Sequence, residues 1–273
     1  MRIPNVLSIA GTDPSGGAGV QADLKTFSAL GGYGMAVVTA LVAQNTVGVD
    51  AVHQPPADFV TAQLDSLFAD VRVDAVKIGM LGSAEVVGAV VAALDRHHPP
   101  YVVLDPVMVA KSGDRLLPAD AVAVLRDELL PRADLVTPNL PEAADLLSED
   151  EVTDPASDEA VMADHVARLV KLGARRVLLK GGHLYGAASV DLLYEEGEIR
   201  RFTGPRIPTR NTHGTGCTLS SAIAALRPQR PGWASAITDA KRYLTGALRA
   251  ADRLDVGRGH GPVNHFHELW ARQ

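Results

Sequence analysis

Short apolar runs alternate along the chain with longer stretches of helical periodicity. Val6–Ala10, Met35–Leu41, Ala75–Ile78, Tyr101–Leu104, Asp134–Val136 and Val177–Leu179 read as strands. Helices are predicted over Val20–Leu30, Phe59–Phe68, Ala84–Leu94, Ala119–Leu130, Pro141–Leu147, Asp158–Leu172, Cys217–Leu226 and Trp233–Asp252. In the first helix Val20, Leu24, Phe27 and Leu30 fall on one face. Two more strands flank the Glu196-Gly197 turn.

This alternation predicts an α/β fold: a central, mostly parallel sheet flanked by helices on both faces. The runs VLSIA, VVLD and VLLK lack polar alternation, as expected of strands covered on both sides. Ligands in such folds bind beyond the carboxyl ends of the strands. The chemistry-bearing residues stand there: Gly11-Thr12-Asp13 after the first strand, Asp105 after the fourth, Asn139 after the fifth, Lys180-Gly181-Gly182 after the sixth.

The 273 residues suit one large domain spanning 1–273, and the acidic Ser148–Ala160 stretch reads as an exposed connection between helices. A net charge of −6 argues against a general nucleic-acid partner. The single cysteine forbids an internal disulfide and fits a reducing, cytoplasmic setting. Met1–Ala10 is too short for a secretory signal, and no run reaches the roughly 18 apolar residues of a membrane span.

Two glycine-rich loops lead into helices: Gly11-Thr-Asp-Pro-Ser-Gly-Gly-Ala-Gly19 and His213-Gly214-Thr215-Gly216. Glycines before a helix let N–H groups converge, and the helix N-terminus adds positive potential, so each is a candidate anion site. Neither a GxxxxGK[ST] loop nor a GxGxxG after a strand is present, which removes the main support for phosphate-loop and Rossmann readings. Cys217, at the start of the helix after the second loop, is expected to have its thiol pKa lowered by the helix N-terminus. His260, His265 and His267 fit no zinc spacing, His97-His98 reads as a helix-end loop, and no role is assigned to His213.

Six stretches together are far more specific than either loop. Gly11–Gly19, Gln21-Ala-Asp-Leu-Lys25, Ala43-Gln-Asn45, Lys77-Ile-Gly-Met80, Thr137-Pro-Asn-Leu-Pro-Glu142 and Asn211-Thr-His-Gly-Thr-Gly-Cys217 resemble the hydroxymethylpyrimidine/phosphomethylpyrimidine kinases of thiamine biosynthesis. The resemblance runs from about Asn5 to the GPVNHFH stretch near the C-terminus. It implies a ribokinase-like fold with a small β flap, and two ATP-dependent steps that convert 4-amino-5-hydroxymethyl-2-methylpyrimidine to its monophosphate and then its diphosphate. It also implies a homodimer.

Residue by residue, the resemblance makes the N–H groups of Gly214, Thr215, Gly216 and Cys217 an anion hole, where preplaced donors help most in the transition state. Cys217 becomes the base, at a position where many sugar kinases of the superfamily carry aspartate. Asn139 and Lys180 are implied in ATP binding, and Glu142, assisted by Asp105, in holding Mg²⁺, a cation that keeps oxygen ligands and several waters. Gly11, Asp23, Gln44, Met80 and Val107 are implied in binding the pyrimidine. On the residues alone, Glu142 and Asp23 also read as first-turn helix acids, Met80 and Val107 as ordinary core, and Lys180 as a strand-end lysine.

Three other readings remain at this point. Pyridoxal or pyridoxine kinase activity uses a similar flat substrate but needs only one phosphorylation. A cysteine-nucleophile hydrolase would use Cys217 with His213, and would leave the Asn139–Glu142 element without purpose. A binding protein without turnover would not need the base, cradle and Mg²⁺ positions.

Overall fold

A computed structural model describes residues 2–109, 113, 115–148, 153–182, 184, 186 and 188–270. Residues 149–152 of the acidic connection lie outside the described residues. The chain runs β1 (Asn5–Ala10), α1 (Gly19–Ala29), β2 (Tyr33–Val38), β3 (Leu41–Gln44), β4 (Val49–His53), α2 (Ala57–Asp70), β5 (Ala75–Ile78), α3 (Ala84–His97) and β6 (Val102–Leu104). It continues through α4 (Ala119–Val124), β7 (Leu135–Val136), α5 (Leu140–Leu147), α6 (Glu159–Lys171), β8 (Val177–Lys180), β9 (Ala188–Glu195), β10 (Glu198–Pro205), α7 (Thr215–Leu226) and α8 (Trp233–Arg249).

Among the described residues eight strands form one sheet in the order β10-β9-β8-β7-β6-β5-β1-β2. Pairing is parallel from β2 to β8, and the β8–β9 and β9–β10 pairs are antiparallel. From β1 the chain goes outward to β2 and later returns to β5 on the other side of β1. The switch point between β1 and β5 opens a crevice at their carboxyl ends.

The unbroken apolar runs have a two-sided cause. Leu7, Val76, Leu104, Val136 and Leu179 face the core under α2–α6. Their chain neighbours Val6, Ala75, Val103, Leu135 and Leu178 face a second core under α1, α7 and α8. Successive strand residues point to opposite faces, so a strand covered on both needs apolar residues at every position.

The expected single strand Met35–Leu41 is two elements. β2 stops at Val38, after which the Thr39 Oγ1 donates to the Met80 carbonyl (2.6 Å) and the Ala40 carbonyl accepts the Thr12 N–H (2.9 Å). These bonds turn the chain off the main sheet, and β3 pairs with β4 as a separate antiparallel ribbon. β4 has no counterpart in the hydrophobic pattern, because most of its residues are exposed.

The predicted helix Ala119–Leu130 is regular only to Val124 and passes through a π turn (Leu125–Leu129) into a 3₁₀ turn containing Pro131, which has no N–H to donate. The last predicted helix ends at Arg249, with a 3₁₀ turn at Ala251–Arg253 replacing its final turn. No helix among the described residues is long and apolar enough to cross a membrane.

Leu104 is fully buried in the middle of the sheet. Leu104→Ala is expected to lower the unfolding free energy by about 2–5 kcal/mol, read from the urea midpoint at unchanged slope.

Candidate active site

The two glycine loops meet at the carboxyl end of β1. In the first, the loop's own Asp13 occupies the anion position. Its carboxylate accepts the N–H groups of Ser15 (2.9 Å), Gly17 (3.1 Å) and Ala18 (2.7 Å) and the Ser15 hydroxyl (2.7 Å). His213 Nε2, from the second loop, lies 2.7 Å from Asp13 Oδ2. Burial alone would raise the Asp13 pKa, but hydrogen bonds from His213, Gln44 and Ser15 outweigh it and hold the group well below the usual carboxylate range. The expectation that both loops are ligand anion sites is therefore corrected for the first, whose donors are consumed internally.

The second loop remains open. Gly214 caps α7 with φ 78°, a left-handed conformation, and a Cβ there would run into the Gly17 carbonyl. This contact seats one loop on the other. Around the start of α7 the Thr215 N–H donates to the Thr212 carbonyl at 3.4 Å, while no acceptor is seen among the described residues for the N–H groups of Gly214, Gly216 and Cys217, which border a cleft of about 650 Å³. Gly214, Thr215, Gly216 and Cys217 all line it.

Cys217 is half-buried in the cleft wall. Burial pushes its thiol up to about 11, against the pull of Lys77. Against the lowering expected at a helix N-terminus, loss of water around the sulfur raises the thiol.

Asp23 is also corrected. It is fully buried within α1 and does not border the cleft. Its carboxylate accepts Lys77 Nζ at 2.9 Å on both oxygens, the Ser8 hydroxyl at 2.6 Å and the Ser221 hydroxyl at 2.6 Å. A group so engaged has no capacity left for a pyrimidine ring. Lys77, equally buried, is held in its charged form by Asp23 despite burial.

Asp105 and Lys180 make a second acid–lysine pair. Lys180 Nζ donates to Asp105 Oδ1 (2.8 Å), the Thr137 hydroxyl approaches the same oxygen (3.2 Å), and the Ser220 hydroxyl donates to Oδ2 (3.2 Å). Burial would raise Asp105, but Lys180 and Lys77 bring it below the usual carboxylate range. Asn139 and Glu142 form a capping box at α5: Glu142 Oε2 accepts the Asn139 N–H (2.7 Å) and Asn139 Oδ1 accepts the Glu142 N–H (2.9 Å). Burial pushes Glu142 up to about 7, with Lys180 3.9 Å away opposing the rise.

Gly11, Gln44, Met80 and Val107 border the cleft. Met80 packs with Ala40 and Val42, and Val107 and Leu116 complete this small apolar cluster. Of the substrate residues expected from the resemblance, Asp23 is the one set apart. His265 is buried against Thr218 and Tyr243, and burial pushes it down to about 3. Among the described residues no group of three or more His, Cys, Asp or Glu side chains is arranged to hold a metal by itself.

Lys77, Asp13 and His213 have functional positions that the sequence reading did not assign. Lys77 had a legible signal: a lysine inside AVKI, an otherwise apolar strand run. The Asp13–His213 contact spans 200 residues and has no local signature.

The mostly parallel sheet, its switch-point crevice and the two-stranded ribbon place the fold in the ribokinase-like class, which solved small-molecule kinases share over nearly the full chain. Residues 13–264 match the phosphomethylpyrimidine kinase family, and the chain belongs to it. It is 57% identical over 270 residues to the hydroxymethylpyrimidine/phosphomethylpyrimidine kinase of Salmonella typhimurium, covering 99% of this chain and 100% of that one. The Escherichia coli enzyme of the same name is also 57% identical. Among solved structures, the ADP complex of Bacillus subtilis pyridoxal kinase aligns with a TM-score of 0.89 at 33% identity, covering 98% and 99% of the two chains. Phosphomethylpyrimidine kinase from Clostridium difficile aligns at 0.78 and 40% identity, covering 90% and 100%.

Asp13 has a depressed folded pKa. Its contribution to stability is complete above its unfolded value, about 3.9, and is lost as pH falls toward the folded one. Asp13→Asn is expected to remove about 1–3 kcal/mol at neutral pH and to flatten the acid-side fall in stability below about pH 4. Urea titrations at a series of pH values measure both.

Proposed function

We infer that the chain is an ATP-dependent kinase acting in thiamine biosynthesis, with residues 1–273 as one catalytic domain. It phosphorylates 4-amino-5-hydroxymethyl-2-methylpyrimidine and then the resulting monophosphate. The full-length 57% identity to enzymes of that name carries the reading. Pyridoxal kinases share the fold at lower identity.

In the first step the Cys217 sulfur, as thiolate, takes the hydroxymethyl proton. The freed oxygen attacks the γ-phosphorus, the bond to the bridging oxygen breaks, and ADP leaves. The N–H groups of Gly214, Thr215, Gly216 and Cys217 donate to the equatorial oxygens, where charge spreads in the transition state. Lys180 adds a compact cation beside Gly216, and Asp105 orients that lysine. In the second step the acceptor is a phosphate oxygen, already ionised near neutrality with a second pKa of about 6, so no base is required.

The donor set fits Mg²⁺ through Glu142. One of its oxygens takes the cap N–H, and no hydrogen bond to the other is seen among the described residues. Asp105, also expected at the metal, has both oxygens engaged by protein donors and fits a supporting role instead. Bound Mg²⁺ would neutralise phosphate charge. Asn139 Oδ1 is used in the cap, which leaves its amide N–H groups for a phosphate of ATP. Gln44, Met80, Val107 and the close backbone of Gly11 would hold the flat ring. Exposed Leu41 and Val52 on the β3–β4 ribbon and Phe59 on α2 offer apolar surface for a homodimer. One cysteine suits a cytoplasmic setting.

Mass spectrometry of products from purified protein, Mg-ATP and the hydroxymethylpyrimidine, with pyridoxal in parallel, tests the reading. A diphosphorylated pyrimidine is expected; pyridoxal phosphate as the sole product overturns it. Cys217→Ala is expected to slow the first phosphorylation by about 10²–10⁴-fold and the second far less. Equal loss in both steps, measured separately from each starting substrate, removes the base from Cys217.

A further inference from the structure

A lysine and an aspartate sealed beneath a catalytic cleft need a reason. A buried ion pair contributes little to stability, because desolvation of both ions offsets their attraction, and apolar residues of similar volume often do better. Lys77 and Asp23 are both fully shielded from solvent, on β5 and α1. The pair is also built with care. Asp23 is fixed by hydroxyls from β1 (Ser8) and α7 (Ser221), and Ser221 stands one helical turn after Cys217 on the same face of α7.

The Lys77 ammonium carries three donors. Two of its three N–H bonds go to the two Asp23 oxygens at 2.9 Å. No acceptor for the third is seen among the hydrogen bonds of the described residues. A Cβ at Gly79 would lie 2.8 Å from Lys77 Nζ, which places the nitrogen where β5 ends, and Lys77 shares the cleft wall with Cys217. On the far side of the α7 start, Lys180 Nζ lies 3.4 Å from the Cβ position of Gly216. Lys77 and Lys180 thus both border the cleft into which the first turn of α7 opens.

We propose that Lys77 is a positioning residue for the first phosphorylation: its ammonium, held from behind by Asp23, stabilises the anionic sulfur of Cys217. The charged groups gathered at this end of the sheet are Lys77 on β5, paired with Asp23 on α1, and Lys180 on β8, paired with Asp105 beyond β6. Lys77 pulls the thiol down, while Asp23 and Asp105 push it up. Each unit by which the thiol comes down toward working pH raises its thiolate fraction about tenfold, while base strength falls by less. Lys77 thereby offsets part of the burial of Cys217. The proton balance is unchanged: thiolate takes the hydroxyl proton, oxygen joins phosphorus, and ADP departs.

The kinetic part of the test rests on the two-step reading above; the labelling part does not. The single cysteine makes iodoacetamide labelling, read by intact mass, specific to Cys217. In Lys77→Met the labelling rate at about pH 8.5 is expected to fall at least about tenfold, with its pH profile displaced upward. The kcat of the first phosphorylation should fall at least about tenfold relative to that of the second, with KM for the pyrimidine within about threefold. If Lys77→Met does not fold, Lys77→Met with Asp23→Asn leaves no unpaired buried charge, and smaller shifts in the same directions are expected. A labelling profile matching wild type in the folded variant, or equal slowing of both steps, overturns the proposal. Failure of wild-type protein to make the diphosphate would sink the two-step reading, and the labelling profile would still decide the role of Lys77.

Discussion

The site depends on how one carboxylate is used. Asp13 gathers three backbone N–H groups of the first glycine loop and reaches His213 of the second, 200 residues away in sequence. That engages the first loop's donors internally, while the second loop lines the cleft. With the Gly17 carbonyl against Gly214, the start of α7 has little freedom to move relative to the start of α1. A cradle that must meet charge developing in a transition state benefits from being fixed beforehand, since its donors then need no reorganisation.

Around that cradle the charges are arranged in two buried pairs of different kinds. Lys180–Asp105 borders the cleft directly, with Glu142 close by and pushed up to about 7. Of the Lys77–Asp23 pair only Lys77 lines the cleft, and two serine hydroxyls tie the buried Asp23 to β1 and α7. Both pairs arise at the switch-point side of a parallel sheet, where strand ends and helix starts converge. The tight packing of two cores above and below the sheet makes such placement affordable, because strands covered on both faces hold their end residues in fixed positions.

Much of the architecture was legible in local pattern. Unbroken apolar runs marked the strands covered on both faces, and helical periodicity marked their partners, because burial on two faces leaves no polar alternation. Failures came where long-range bonds overrode local preference. Thr39 and Ala40 are pulled off the β2 line by partners at Met80 and Thr12, and β4 shows little hydrophobic pattern because it is an exposed ribbon. In the site, Cys217, the glycine cradle and the Asn139–Glu142 box were readable as contiguous motifs. The partner of Asp23 was not: a helix acid facing solvent and one facing a buried lysine have the same sequence signature.

By itself, the sequence determined most of the segments that become strands and helices, which two loops are rich in glycine, and which family the motifs belong to. These follow from periodicity and from short, contiguous patterns, which are local properties of the chain. Tertiary structure alone decided which of two glycine loops stays open, which acid is bound to which lysine, and that the thiol sits above its ordinary pKa instead of below it. Each of those outcomes depends on contacts between distant segments and on loss of water, and neither quantity exists until the chain has folded.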